Sequence, residues 1–279
     1  MAINHPSHIA IIIATYNRPD ALERVLAGCL SQTDLAFEII VADDGSRNDT
    51  RETIDRIARS TSISLRHVWH PDNGFRLSEI RNRGVLAASE ADYVVFLDGD
   101  CVPRNDFVAR HRALAQRGFW LSGSRILIDE TLTRDLVTRN VDLHSASKRF
   151  WFRAWRAGHI NKFLPLLIPG LPAPRAFRSA SLRGIKGCNL GVWRDDFEHV
   201  NGFDQSFVGW GHEDADLAVR LYNAGVRRKR GFCATEVFHL WHREQSRAQE
   251  SPNYQRMLAR RNTDITRAEI GLAELRAAG

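Results

Sequence analysis

Two carboxylates, one residue apart, directly follow a strongly apolar stretch of the sequence. Asp98 and Asp100 flank Gly99 immediately after the run YVVFL. An apolar run of this kind is typical of a buried strand, so the two acids should lie together where the strand ends, with Gly99 permitting a sharp turn. Such a pair suits a hard divalent cation that keeps water and phosphate oxygens among its ligands. The segment therefore predicts a metal site, although acidic surface turns without a metal are common.

Two histidines near the end of the second half are further candidate ligands. His239 ends the strand-like run over residues 235–238, and His242 follows three residues later. An imidazole combined with carboxylates favours Mn²⁺ over Mg²⁺, because Mg²⁺ prefers oxygen ligands. We expect Asp100 and His239 as the main ligands, with Asp98 and His242 as additional candidates. The alternative is that a histidine beside Trp241 serves only in packing.

The densest group of functional residue types is FVGWGHEDAD, over residues 207–216. Two glycines flank Trp210, so that both backbone and indole can approach a ring-shaped ligand closely. Glu213 and Asp214 then begin a predicted helix, whose dipole stabilises their anionic forms. Helix capping alone would account for the acids but not for the preceding Gly-Trp-Gly.

Strand and helix signals alternate through the first half of the chain. Predicted strands cover residues 8–14, 37–42, 64–70, 93–97 and 119–128, and predicted helices cover 19–30, 54–58 and 78–88. This alternation indicates a parallel, doubly wound α/β sheet, whose ligands bind beyond the carboxyl ends of the strands. Polar loops at 15–18, 43–46 and 98–100 should therefore share one rim, although caps and turns use the same residue types.

The second half begins with a basic segment that interrupts this pattern. Residues 133–186 contain eleven Lys and Arg against two Asp, which gives this segment a net charge of +9. The whole chain has a net charge of +6, so the remaining residues together carry −3. It includes the aromatic cluster Phe150, Trp151, Phe152 and Trp155, and a proline-rich piece over 165–174 that we expect to be loop. Beyond it, we predict strands over 188–193 and 227–241, a helix over 214–224 and a helical tail over 256–278.

Length and composition exclude several classes of protein. A chain of 279 residues, 43% of them hydrophobic and 26% charged, can bury its own core and needs no disulfides to do so. We predict no signal peptide at the N-terminus and no membrane-spanning segment. The four cysteines lie far apart without zinc spacing, which predicts free thiols in a reducing cytoplasm.

Several of these motifs, taken in order, carry a family resemblance. The chain resembles the inverting family 2 glycosyltransferases of the GT-A fold in five segments. They are IIIATYNRPDAL, VADDGSRNDT, RLSEIRNRG, YVVFLDGDCVP and KGCNLGVWRDDFEHVNGFDQSFVGWGHEDADLAVRLYNAG. The last block is similar to the galactosyltransferase and chondroitin-polymerase type, with its WGxED element. The resemblance covers residues 8–128 and 184–242 and leaves 129–183 and the tail without a counterpart.

The resemblance implies a division of the chain into functional parts. Residues 1–128 would form the nucleotide-sugar-binding half, and 187–242 the acceptor-binding and catalytic half of the same domain. We expect residues 129–186 to form a basic insertion over the sheet edge that acts as an acceptor lid, and 243–279 to form a C-terminal helical tail.

The family pattern also implies roles for individual residues. Asp98 would contact the ribose or support the site, and Asp100 and His239 would coordinate a metal, Mn²⁺ or Mg²⁺, on the donor's diphosphate. The base, ribose and diphosphate would be held by Thr15, Tyr16, Arg18, Asp43, Asp44, Arg81, Asp98 and Gly99.

The acceptor side of the expected site comes from the WGHED segment. Asp214 occupies the position of the catalytic base, and Glu213 and Trp210, with Gly211 and His212, would shape the sugar sites. His212 departs from the family pattern, because related sequences often have glycine there.

The function implied is metal-dependent inverting transfer of a hexosyl or N-acetylhexosaminyl unit from a UDP-sugar to a saccharide acceptor, in polysaccharide, lipopolysaccharide or capsule synthesis. A lipid-linked acceptor and peripheral contact between residues 133–186 and an anionic membrane are further expectations; the alternative for this segment is a solvated basic face. A sugar nucleotidyltransferase would instead need a glycine-rich phosphate loop after the first strand. A nucleic-acid-binding module is the non-enzymatic alternative, but no recognised motif accompanies the charge, so we expect no nucleic acid partner.

Overall fold

The computed structural model describes residues 5–88, 90–139, 141–144, 146–167, 176–177, 182, 184–243 and 246–278. Its strands form two sheets. They are β1 (Ile9–Thr15), β2 (Phe37–Asp43), β3 (Leu65–Trp69), β4 (Tyr93–Asp98), β5 (Cys101–Pro103), β6 (Phe119–Ser122), β7 (Ser124–Leu127), β8 (Ala176–Phe177), β9 (Asn189–Trp193), β10 (Arg227–Arg230) and β11 (Glu236–His239).

The larger sheet has eight strands in the order β3-β2-β1-β4-β9-β6-β10-β8. Strands β1 to β4 are mutually parallel, as the alternation of strands and helices predicted. Strand β9 runs antiparallel to both of its neighbours, β4 and β6, so the sheet is mixed and not wholly parallel. Because β9 comes from the second half of the chain, both halves contribute to a single sheet.

The smaller sheet has the order β5-β11-β7 and stands next to the acidic turn. Strand β5 begins one residue after Asp100 and pairs antiparallel with β11, which places Cys101 opposite His239. The sheet therefore brings the predicted histidine ligand to the Asp98–Asp100 turn, across more than a hundred residues of sequence.

Helices cover both faces of the larger sheet. They are α1 (Pro19–Leu30), α2 (Asn48–Ala58), α3 (Leu77–Ala87), α4 (Phe107–Leu114), α5 (Glu130–Thr138), α6 (Lys148–Arg156), α7 (Leu164–Leu167), α8 (Arg194–His199), α9 (Glu213–Asn223), α10 (Glu250–Arg261) and α11 (Leu272–Ala278). No described helix is both long and apolar enough to cross a bilayer.

The covering of both faces explains why β1 is apolar at every position from Ile9 to Ala14. Ile9, Ile11 and Ile13 join one core cluster with α1, whereas Ala10 and Ile12 join a second cluster with α3. All five side chains are fully buried. A strand buried on both faces needs a continuous apolar run, because neither set of alternate side chains faces water.

Two of the long predicted strands are wrong because the chain changes sheets within them. The segment 119–128 divides at Gly123 into β6 and β7, which belong to different sheets. A Cβ at Gly123 would lie 2.0 Å from Asn189 Cγ, so only glycine allows this close passage. The segment 227–241 divides in the same way into β10 and β11.

Two further expectations need correction. The helical tail predicted over 256–278 is two helices, α10 and α11, with an irregular segment between them. Pro165 lies in the short helix α7 and not in a loop, whereas Pro169, Pro172 and Pro174 fall outside the described residues. The sequence pattern also missed β5 and α4, which are short.

A buried network of ion pairs fixes α10 to the body of the protein. Asp216 on α9 accepts hydrogen bonds from Arg220 Nε at 2.8 Å and from Arg260 Nη1 on α10 at 2.9 Å. Arg260 Nη2 also lies 2.7 Å from Asp204 Oδ2. Asp204, Asp216 and Arg220 are fully buried. Removing one carboxylate would therefore leave a buried guanidinium without its counter-charge.

We expect Asp216→Ala to lower the free energy of unfolding by about 3–5 kcal/mol, the usual cost of breaking a buried ion pair from one side. Thermal and denaturant unfolding measure the change.

The matched control is Asp135→Ala, which removes the acid of the exposed i,i+4 pair Asp135–Arg139. Exposed pairs of this kind contribute less than about 1 kcal/mol. Equal losses of stability in the two variants would contradict a structural role for the buried network.

Candidate active site

The three predicted polar loops meet at one edge of the larger sheet. The Asp44 N–H donates to the carbonyl of Thr15 at 3.0 Å, and the Gly99 N–H donates to the carbonyl of Ala14 at 2.7 Å. The carboxyl ends of β1, β2 and β4 are thus tied together by backbone hydrogen bonds. This edge is where a doubly wound sheet binds its ligands.

The acidic pair at the end of β2 organises its own loop. Asp43 Oδ1 accepts from the Ser46 N–H at 2.8 Å, and Asp43 Oδ2 lies 3.0 Å from His67 Nε2. Asp44 Oδ2 accepts from the Arg76 N–H at 2.9 Å, and Asp44 Oδ1 lies 3.1 Å from His70 Nε2. Hydrogen bonding to Asp44 raises the pKa of His70.

The remaining residues predicted to hold the nucleotide differ in their surroundings. Thr15 is buried, and its hydroxyl has no hydrogen-bond partner among the described residues. The Tyr16 ring is 43% exposed at the rim, and its hydroxyl donates to Asp72 at 2.7 Å. Arg18 Nε instead donates to Asp20 on α1 at 2.9 Å. Tyr16 therefore presents its ring to the rim, whereas the Thr15 hydroxyl is buried and Arg18 is engaged in a local pair.

Arg81 connects the Asp98–Asp100 turn to the segment that begins α9. Its Nη2 donates to Asp98 Oδ1 at 2.7 Å, and its Nη1 donates to Glu213 Oε1 at 3.3 Å. The guanidinium is buried and also lies 5.2 Å from the centre of the Phe203 ring. Arg81 was predicted near the nucleotide; its guanidinium contacts two carboxylates and brings the two acidic motifs into one site.

Glu213 and Asp214 are adjacent but have different environments. Burial and the neighbouring Asp214 raise the pKa of Glu213 to about 7, although Arg81 acts in the opposite direction. Asp214 Oδ2 accepts from the Gly187 N–H at 2.9 Å, and its Oδ1 accepts from the Ala215 N–H at 2.7 Å. A Cβ at Gly187 would lie 3.2 Å from Asp214 Cβ, so glycine permits the close contact.

The backbone of the loop before α9 shows why related sequences often have glycine at the position of His212. His212 has φ of 69°, in the left-handed region that favours glycine, and Gly211 has φ of 107°. Glycine would therefore suit this backbone better than histidine. Trp210 is 36% exposed, with Arg247 Cζ 5.0 Å from its ring centre. Trp210, Gly211 and His212 immediately precede Glu213 in the chain, and the His212 ring lies 5.0 Å from the Tyr254 ring of α10.

The predicted metal ligands are brought together. Asp100 Oδ1 lies 3.8 Å from His239 Nε2, and Asp100 Oδ2 lies 3.2 Å from His242 Nε2. Burial, more than any other influence, lowers the pKa of His239, which favours the neutral imidazole, the form that binds metals. One carboxylate and two imidazoles are a donor set suited to a borderline divalent ion. Asp98 faces Arg81 instead, so it supports the turn.

Sequence reasoning missed several residues at this site. His67 and His70 contact the acidic pair of β2. His67 lies in the middle of the predicted third strand, whereas His70 is its last residue and could have been found as a polar group at that rim. Arg125 and Cys101 had no signal of their own, because they reach the site through the smaller sheet. Trp69 lines a cavity beside the rim with Ser46, Arg47, Asn48 and Arg51.

Comparison with known families agrees with the fold and the motifs. The model of glycosyl transferase family 2 matches residues 10–182, and the model of the N-terminal domain of galactosyltransferase matches residues 175–243. The first match covers more than half of the chain, so the chain belongs to glycosyl transferase family 2. The predicted family resemblance is confirmed, but the expectation that residues 129–183 have no counterpart in the family is wrong, because the two models together span them.

Two curated relatives show similar sequences. Validoxylamine A glucosyltransferase of Streptomyces hygroscopicus subsp. jinggangensis is 28% identical over 236 residues, which is 81% of this chain and 54% of the relative. Chondroitin synthase of Escherichia coli is 28% identical over 242 residues, which is 78% of this chain and 32% of the relative. The chain therefore spans about half or less of the length of these relatives.

A solved structure supports the fold class. GalNAc-T7, solved with UDP, GalNAc and Mn²⁺, superimposes with a TM-score of 0.64 at 16% identity, covering 93% of this chain and 48% of the other. At this identity the likeness concerns the fold alone. The GT-A fold predicted from the sequence is confirmed.

The raised pKa of Glu213 predicts a pH-dependent stability. A carboxyl whose pKa rises from 4.5 unfolded to about 7 folded stabilises the protein fully at low pH, and this stabilisation is lost as the pH rises through about 7. Glu213→Gln removes the titration. Raising the pH from 5 to 8.5 should therefore lower the free energy of unfolding of the wild type relative to that of Glu213→Gln, by up to about 3 kcal/mol.

Thermal unfolding at both pH values measures this shift. Glu130→Gln, which alters an exposed glutamate, is the control and should show no comparable change. A pH-independent difference between Glu213→Gln and the wild type would show that Glu213 does not titrate in this range.

Proposed function

We propose that the chain catalyses metal-dependent, inverting transfer of a hexosyl or N-acetylhexosaminyl unit from a UDP-sugar to a saccharide acceptor. The proposal depends chiefly on one observation, the bridge that buried Arg81 makes between Asp98 and Glu213. This bridge unites the acidic turn, which suits a nucleotide-sugar, with the helix start that carries Asp214. Membership of glycosyl transferase family 2 supports glycosyl transfer as the type of reaction, whichever nucleotide-sugar is the donor.

Asp214 is proposed as the general base. It removes the proton of the acceptor hydroxyl as that oxygen attacks the anomeric carbon, while the bond from carbon to the diphosphate breaks on the opposite face. The two backbone hydrogen bonds from Gly187 and Ala215 fix the orientation of the carboxylate. The acceptor proton passes to Asp214 and then to solvent, and no covalent intermediate forms.

Asp100, His239 and His242 are proposed to hold the divalent cation on the donor's diphosphate. A cation there, Mn²⁺ in preference to Mg²⁺, supplies positive charge that stabilises the departing diphosphate. Asp98 holds Arg81, and Arg81 in turn holds Glu213, so these residues position the reacting groups. Thr15, Tyr16, Asp43 and Asp44 would line the base and ribose, while Trp210, with Gly211 and His212, would contact a sugar ring.

UDP is proposed as the donor nucleotide on the family resemblance; among the structural neighbours, GalNAc-T7 was solved with UDP and Mn²⁺, and a mannosyltransferase from Pyrobaculum calidifontis with GDP-Man and Mn²⁺. The acceptor is proposed as a saccharide in polysaccharide, lipopolysaccharide or capsule synthesis, in line with the similarity to chondroitin synthase.

The catalytic test uses mass spectrometry of products from a panel of nucleotide-sugars and saccharides, with Mn²⁺ and with chelator. Asp214→Asn should reduce turnover at least about 10²-fold, the scale of a lost general base, with nearly unchanged Mn²⁺-dependent UDP affinity. Asp100→Ala should lose both. The product's anomeric configuration should be opposite to the donor's.

Asp195→Asn is the control, because Asp195 is exposed at the start of α8 and lies far from the site. It follows Trp193, which pairs with Tyr93 at the start of β4, whereas the site lies at the other end of that strand. Asp195→Asn should leave both properties unchanged. Near-normal turnover in Asp214→Asn would disprove the assignment of the base.

The basic insertion is proposed to contact an anionic membrane and so bring the site to a lipid-linked acceptor. Helix α6 divides its aromatic residues: Trp151 is buried and stacks on Phe238 at 4.3 Å, whereas Phe152 and Trp155 are 42% and 46% exposed. Exposed cations lie beside these two rings on the same helix, namely Lys148, Arg149, Arg153 and Arg156. Aromatic rings among cations suit the surface of an anionic bilayer.

Replacing Arg149, Arg153 and Arg156 with glutamate should weaken binding to vesicles of anionic phospholipid by about a hundredfold or more, since each cation near the surface contributes about 1 kcal/mol. Vesicle flotation at moderate salt measures the loss. The matched control replaces the exposed Arg51 and Arg56 of α2 and Arg59, which follows its last residue. Absent binding by the wild type, or equal loss in both triple variants, would remove the membrane contact from the proposal.

A further inference from the structure

A cysteine thiol lies within the group of candidate metal ligands. Cys101 Sγ donates to Asp100 Oδ1 at 3.4 Å, and the ligand atoms of Asp100, Cys101 and His239 all lie within 4.8 Å of one another. Cys101 is fully buried, whereas Asp100 and His239 are partly exposed. The thiol therefore closes the inner side of the cluster, and the other two ligands face its outer side.

The pairing of the smaller sheet fixes this arrangement. Cys101 on β5 and His239 on β11 stand directly opposite each other in an antiparallel pair. Directly opposite residues project their side chains from the same face of a sheet, close enough to interact. The proximity of the thiol and the imidazole thus follows from backbone register and not from one side-chain rotamer.

We propose that Cys101 is a thiolate ligand of the divalent cation, so that this site prefers Zn²⁺ or Co²⁺ to Mg²⁺. With Asp100 and His239, it gives one sulfur, one oxygen and one nitrogen donor, which would leave further positions on the ion for diphosphate oxygens. Thiolate and imidazole select borderline or soft ions, whereas Mg²⁺ requires oxygen. This inference rests on the metal site of the proposed function and adds a ligand to it.

Binding through sulfur requires loss of the thiol proton. The Sγ–H bond breaks, the proton leaves to solvent and the Sγ–metal bond forms, since a coordinating thiol is deprotonated outright. The anionic ligands then number two, Asp100 and Cys101, and balance the charge of a divalent ion. Cys188 is a second buried thiol, and Arg125 adds positive charge beside it, with Nη1 3.9 Å from Cys188 Sγ.

The test follows Co²⁺ binding to the full chain by absorbance, because a cobalt–thiolate bond gives a near-ultraviolet charge-transfer band and carboxylate or imidazole ligands do not. The wild type should show this band, saturating at one ion per chain. Cys101→Ser should lose the band and bind Zn²⁺ at least about tenfold more weakly, since loss of even outer partners of a metal site costs that much. Its Mg²⁺ affinity should change less.

Cys29→Ser is the matched control, because Cys29 is equally buried and burial alone raises its pKa. It should keep the band. Co²⁺ binding without the band in the wild type overturns the proposal, and this measurement requires no variant to fold. A band that persists in Cys101→Ser, or that disappears in Cys188→Ser alone, also overturns it. If the wild type binds no Co²⁺ at all, the metal site of the proposed function is itself contradicted. The experiment thus distinguishes failure of that site from failure of the inference about Cys101.

Discussion

The buried guanidinium of Arg81 is the interaction on which the site depends. A buried cation is stable only where anions surround it, and Arg81 has Asp98 on one side and Glu213 on the other. These two carboxylates belong to different halves of the chain. Their shared partner therefore fixes the distance between the acidic turn and the start of α9, and any rearrangement of either element would leave a charge buried without compensation.

The smaller sheet adds a second constraint at the same turn. Asp100 is held between the backbone that leaves β4 and the strand β5, while β11 pairs with β5 and carries His239 to the carboxylate. Leu240 N–H also donates to the Asp100 carbonyl at 2.9 Å. The cluster of acid, imidazole and thiol is thus built on paired strands, which position ligands more precisely than free loops do.

Much of this arrangement follows from local sequence pattern, and the rest does not. The apolar runs before Thr15, Asp43 and Asp98 indicate strands whose ends share one edge, because each run is long enough to identify alone. The change of sheet at Gly123 has no local signal, since it depends on the approach of Asn189. The partners of Arg81 and the pairing of Cys101 with His239 likewise depend on residues far away in the sequence.

The loop before α9 links the nucleotide side of the site to the sugar side. The Gly209 N–H donates to the carbonyl of Phe75 at 3.1 Å, just before α3, the helix that carries Arg81. His212 stays in a left-handed conformation that costs most residues about 1 kcal/mol or more, so the surrounding contacts must hold it there. Because α3 is joined to this loop by a backbone hydrogen bond and to Glu213 by an ion pair, displacement of the loop would also disturb Arg81. The residues proposed to bind the donor and those proposed to bind the acceptor therefore form one mechanically connected site.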